Sequence, residues 1–126
     1  MTLILDSGAL VALERDDRAM WRRYKAARLA GMVPLSHGGV IGQAWRGGRP
    51  RQARLAAALK GIDVRPLDER LGRAAGELLA ITGASDVVDA ALVLLAADGD
   101  TITTSDVADI AVLAEAAGIH VEVVPA

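Results

Sequence analysis

Short apolar runs alternate with helix-like stretches from one end of this chain to the other, and this alternation restricts the fold more than any other feature. Thr2-Leu-Ile-Leu-Asp6 is apolar until it meets an acid, the pattern of a strand buried on both faces. Residues 7–14 read as a helix with Ala9, Leu10, Val11 and Leu13 inward,. Residues 17–30 read as a longer helix. Its apolar stripe is Met20, Trp21, Tyr24 and Leu29, with five basic residues around the rest and Gly31 as a stop,. A second strand is expected at Met32-Val-Pro-Leu-Ser36, pushed toward a sheet edge by Pro34,. Two helices, over 38–46 and 51–60, are separated by Gly47-Gly48 and Pro50,. A third strand follows at 62–66, then a helix from Asp68 to about Ile81 stopped by Gly83. An apolar helix over 86–97, a strand at 100–104, a helix over 106–117 closed by Gly118 and a strand at 119–124 complete the chain. Such alternation gives a parallel sheet with helices on both faces. The expectation is an α/β protein, a three-layer α/β/α domain with four to five parallel strands.

The chain of 126 residues suits one domain over 1–126,. Phe is absent and aromatics are 2% while apolar residues reach 52%, so the core must be built from Leu, Val, Ile and Ala. The absence of Cys excludes disulfides and thiolate metal sites,. No signal pattern appears and no apolar run approaches the roughly 20 residues that span a bilayer, so a cytoplasmic protein with no membrane partner is expected. The net charge of −2 hides an asymmetry. Residues 1–54 carry ten Lys/Arg against four Asp/Glu, and residues 55–126 carry four against twelve. A basic half beside an acidic half suits a protein that attracts a polyanion and also holds cations; two solvated faces would give the same counts.

The acids stand at informative places. In an open α/β sheet, ligands sit beyond the carboxyl ends of the strands at the switch point. Asp6 ends the first strand, and Asp106 follows the strand at 100–104. Asp86 and Asp89 share the first turn of the apolar helix,. If the first and fourth strands are neighbours, these acids converge on one cleft, a site for a hard cation such as Mg²⁺ or Mn²⁺. Helix capping is the competing explanation for Asp6, Asp86 and Asp106, and Asp86-x-x-Asp89 and Asp106-x-x-Asp109 both resemble capping pairs,. Asp89 differs, because within Val87-Val-Asp-Ala-Ala-Leu-Val-Leu-Leu95 an unpaired charge is costly unless a cation offsets it,.

Other polar features carry less. Gly38-Gly39 lacks the spacing and Lys of a phosphate loop,. His37 and His120 stand alone and read as ordinary surface or hydrogen-bonding residues,. Trp21 and Trp45 read as packing residues rather than base-stacking platforms,. Met20, Trp21 and Tyr24 share one side of a helix, either as core or as an exposed docking patch,. Arg46, Arg49, Arg51 and Arg54 surround Gly47-Gly48, a basic loop suited to holding phosphates, or a solvated helix face,.

In order and spacing these acids resemble the PIN-domain nucleases. Asp6 falls at the first strand end, Asp89-Ala-Ala-Leu-Val is similar to the family's Asp-Ala-x-Ile-Ala segment, and Thr104-Ser-Asp106 is similar to its Thr-x-Asp segment. Length and strand–helix order match throughout, and a free-standing domain of this size looks most like the VapC toxins of toxin–antitoxin pairs. The resemblance implies a Mg²⁺- or Mn²⁺-dependent endoribonuclease with Asp6, Asp89 and Asp106 as catalytic metal ligands. Asp86 and Asp109 are candidate helpers, and Arg46, Arg49 and Arg51 are candidate RNA-binding residues. It also implies a homodimer and a cognate antitoxin. One departure stands out: Gln43 in Val40-Ile-Gly-Gln-Ala-Trp-Arg46 occupies the place where the family usually has a Glu. An amide there can coordinate or hydrogen-bond but adds no charge, which supports an alternative, a PIN-fold module that binds RNA or a partner without cutting. A phosphate-transfer receiver domain has the same sheet logic but needs a Lys after the last strand, and no Lys follows Lys60.

Overall fold

The computed structural model describes all 126 residues. Five parallel strands form one sheet in the order β3-β2-β1-β4-β5. Their ranges are β1 (Leu3–Leu5), β2 (Leu35–His37), β3 (Asp63–Arg65), β4 (Thr101–Thr104) and β5 (Glu122–Pro125). Between β1 and β2 lie α1 (Ser7–Glu14) and α2 (Arg18–Leu29). A helix α3 (Gly38–Ala44), a 3-10 turn at Pro50–Gln52 and α4 (Ala53–Leu59) lead to β3. The crossing to β4 uses α5 (Glu69–Thr82) and α6 (Val87–Leu94), and α7 (Val107–Ala117) connects β4 to β5. Helix α1 packs on α2, α3 and α4, while α5, α6 and α7 pack on one another. Right-handed crossovers place these two groups on opposite faces of the sheet, giving three layers.

Position in the sheet follows from apolarity. All three residues of β1 are buried, with Ile4 and Leu5 fully so, because this strand lies at the centre between β2 and β4. Ile4 pairs with Leu35 on one side and Ile102 on the other. The outer strand β3 is exposed at all three residues. The core comprises 24 buried apolar residues, with Tyr24 its one aromatic and seven Ala among them. Small side chains let the helices approach the sheet closely, which compensates for the missing Phe.

Two sequence expectations are corrected and one open choice is resolved. The second strand is not an edge: it pairs with β1 and β3. Pro34 precedes β2, so its missing N–H falls outside the ladder, while its carbonyl accepts from the Asp63 N–H at 2.8 Å,. Leu29 is not part of the apolar stripe of α2; it is 90% exposed at the last residue of that helix. Met20 and Tyr24 are not an exposed docking patch but core, and the Tyr24 hydroxyl donates to the Ala58 carbonyl at 2.8 Å. Trp21 lies half-buried beside them, edge-on to Tyr24 and donating Nε1–H to the Leu13 carbonyl at 3.0 Å. No helix is long and apolar enough to cross a membrane.

Candidate active site

Strands β1 and β4 lie side by side, and the chain leaves them in opposite directions, toward β2 and toward β5. Their carboxyl ends therefore form the switch point of the sheet, where an open α/β fold has its crevice. The chain places Asp6 directly after β1 and Ser105-Asp106 directly after β4.

Asp6 is buried, and both of its carboxylate oxygens accept hydrogen bonds. Its Oδ1 accepts from the Ala9 N–H at 2.9 Å, capping α1. Its Oδ2 accepts from the Thr104 hydroxyl and from the Ser105 N–H at 3.1 Å. The same Thr104 oxygen accepts from the Asp106 N–H at 2.9 Å, so one hydroxyl joins the two acids that follow β1 and β4. Capping and site assembly are thus one arrangement at Asp6. Gly8 makes it possible: a Cβ there would lie 2.6 Å from the Ser105 side chain. Sequence reasoning passed over Gly8, whose only signal is a missing side chain two residues beyond a site acid.

Asp86 caps α6, accepting from the Val88 and Asp89 N–H groups at 3.0 and 3.1 Å. Asp106 occupies the same position at α7 yet makes no side-chain cap bond, which leaves its carboxylate uncommitted. Asp86, Asp89, Asp106 and Asp109 together line a cleft of about 320 Å³. Asp6 is outside the wall of this cleft, but its charge reaches Asp89. Burial, followed by the charges of Asp86, Asp106, Asp6 and Asp109, pushes the Asp89 carboxyl up to about 7,.

Behind Asp89 stands His37, completely buried. Its Nδ1 accepts from the Gly39 N–H at 3.1 Å, and its Nε2 lies 2.9 Å from the Val88 carbonyl. That pattern fixes a neutral ring protonated at Nε2, and burial lowers its pKa,. His37 is therefore a hydrogen-bonding residue, as expected, but one that ties the end of β2 to the first turn of the helix carrying Asp89.

No family model and no curated protein matches the chain. Among solved structures, a chain of VapBC2 from Rickettsia felis, in a complex bound to a DNA fragment from their promoter, superposes with a TM-score of 0.70. The match covers 98% of this chain and 98% of that one, at 12% identity. This is a PIN-like α/β/α fold. The likeness extends over all five strands, so the acids of this PIN fold stand in a complete architecture.

The donor set of the PIN cleft suits a hard cation, since it is all carboxylate and contains no thiolate,. Asp89 and Asp106 have free oxygens, and the Asp6 oxygens accept hydrogen bonds without exhausting their lone pairs,. It is a donor set rather than a finished cage: no three His, Asp or Glu side chains are already clustered tightly enough to hold an ion. Gln43 is exposed on α3 and does not line the acidic cleft. Arg46, Arg49 and Arg51 are likewise outside its wall, on the loop after α3. Arg54 is 3.5 Å from Asp16, an exposed ion pair at the start of α4. Trp45 is packed against the core, and His120 is exposed just before β5.

Proposed function

We propose that this PIN domain is a metal-dependent endoribonuclease, the toxin of a toxin–antitoxin pair, with Asp6, Asp89 and Asp106 holding Mg²⁺ or Mn²⁺. The observation that carries this reading is Asp89, a nearly buried carboxyl with no hydrogen-bond partner of its own, raised to about 7 among four other acids. Such a group is destabilising for the fold alone and useful for binding a cation. When bound, the cation supplies charge for a phosphate oxygen and lowers the pKa of a coordinated water. The chain's own contribution is positional. Thr104 and the Ser105 N–H fix Asp6, the free Asp106 side chain faces the cleft, and His37 holds the first turn of α6 behind Asp89. Asp86 and Asp109 add negative charge at the cleft wall. With the Asp89 carboxyl raised to about 7, cation binding should strengthen as pH rises through that value,. The basic loop that carries Arg46, Arg49 and Arg51 would face the RNA backbone,. The likeness to a VapBC2 chain supports a cognate antitoxin as partner; a homodimer and a cytoplasmic setting complete the proposal.

The decisive experiment incubates purified protein with total RNA in Mn²⁺ or in EDTA, for wild type, Asp6→Asn and Asp89→Asn. Cleavage by wild type in Mn²⁺ alone, lost in both variants, is expected. Cleavage that survives in EDTA refutes the metal role. The open donor set favours one second reading, a PIN-fold module that binds RNA or a partner without cutting. RNA binding with no cleavage in any condition would select it.

A further inference from the structure

A second polar structure lies away from the acids, in the segment joining α3 to α4. Gln52 is 2% exposed, and each of its four hydrogen-bonding positions is used,. Its carbonyl oxygen accepts from the Arg46 N–H at 2.9 Å and the Gly48 N–H at 3.0 Å. Its amide donates to the Ala44 carbonyl at 3.0 Å and to Glu14, at the end of α1, at 2.6 Å. Residues 46–51 are thus pinned from beneath to two helices. Gly47 and Gly48 have φ of +96° and +66°, and a Cβ on Gly48 would meet the Trp45 ring at 2.5 Å. The bend therefore requires glycine.

What this support presents is charge. Arg46, Arg49 and Arg51 stand within six residues, on the solvent side of the loop. Arg46 turns back, its guanidinium donating to the Gly42 and Trp45 carbonyls at 3.0 and 2.7 Å, where it closes the end of α3,. Arg49 and Arg51 make no ion pair and no side-chain hydrogen bond. Held close on a fixed loop, like charges repel, and a polyanion relieves that repulsion while a rigid support limits the ordering cost of binding.

The geometry points to Gln52 as a positioning residue that presents Arg49 and Arg51 as a preformed clamp for two backbone phosphates of single-stranded RNA, with Arg46 locking the loop. This rests on the RNA-directed function proposed above and separates three arginines that the sequence alone leaves equivalent. Phosphate contacts of this kind hold the strand without reading its sequence.

The test measures binding of a fluorescent oligouridylate in EDTA across a salt series, alongside thermal melts. Each phosphate that the protein neutralises on a single strand adds about 0.7 to the slope of log affinity against log salt. Arg49→Ala/Arg51→Ala should lower the slope by about 1.4 and leave the melting temperature unchanged. Arg46→Ala should lower the melting temperature instead. Gln52→Glu sets two carboxylates against each other and should lower the slope although both arginines remain. Gln52→Ala removes the acceptor of both loop N–H groups without adding charge, and should lower the slope in the same way. An unchanged slope in Arg49→Ala/Arg51→Ala overturns the clamp while leaving RNA binding intact; that variant is on the surface and is informative even if Gln52→Glu does not fold. A slope that falls in Gln52→Glu but stays at the wild-type value in Gln52→Ala reflects the added charge alone and overturns the positioning role. Wild type that binds no RNA at low salt overturns the clamp and the RNA-directed function together.

Discussion

Replacing Asp89 by Asn should stabilise the metal-free protein, and by an amount that depends on pH. In the folded chain the Asp89 carboxyl is raised from 3.8 to about 7. Between these values the folded state holds a proton that the unfolded state has released, so stability falls as pH rises through that window. About three pH units at ~1.4 kcal/mol each set a ceiling of about 4 kcal/mol above pH 7. The carboxyl borders an open cleft where water and salt screen its neighbours, so about 2 kcal/mol is the expected effect. For a domain of this length, unfolding entropy converts that into a melting temperature higher by about 8 °C. Asn keeps the shape of Asp without its charge. In EDTA, Asp89→Asn should melt at nearly the wild-type temperature near pH 4.5 and well above it at pH 8. Added Mn²⁺ should then raise the wild-type midpoint at pH 8 and raise that of the variant less. A gap between the two proteins that is the same at both pH values would mean that Asp89 does not titrate in this window.

Four further outcomes rest on particular side chains. His37 is neutral in the fold with its pKa lowered by burial, so below the unfolded value of 6.5 the unfolded state takes up more protons and stability falls with falling pH. His37→Gln should flatten the stability profile between pH 6.5 and 5 in chemical denaturation. Gly8→Ala drives a methyl group to 2.6 Å from Ser105; it should cost about 1–3 kcal/mol and weaken Mn²⁺ binding by shifting Asp6, both measurable by melts with and without metal. Trp21→Ala removes a half-buried ring that donates to Leu13, and should lower stability by about 2–4 kcal/mol with no change of oligomeric state in light scattering. Gln43→Glu, on an exposed face outside the acidic cleft, should leave Mn²⁺ affinity unchanged by calorimetry; tighter binding would bring α3 into the site.

The layout of this PIN fold is written locally in the chain. Apolar runs ended by an acid or a glycine mark the strands and most helix ends, as with Gly83 and Gly118, both left-handed at helix termini, because periodicity and caps are short-range properties. Asp89 is legible for the same reason: a charge inside an apolar helix announces an unmet partner. Tertiary structure decides the rest. Strand order alone sets β1 beside β4 and so brings Asp6 to Thr104, ninety-eight residues away. No local pattern shows that Pro34 lies just outside a central strand, or that Tyr24 turns into the core while Leu29 faces solvent. Gln52 and His37 are invisible as supports in the sequence because their partners are distant along it: Glu14 for one, Val88 for the other. A buried polar side chain takes its meaning from the groups that satisfy it, and only the folded chain says which groups those are.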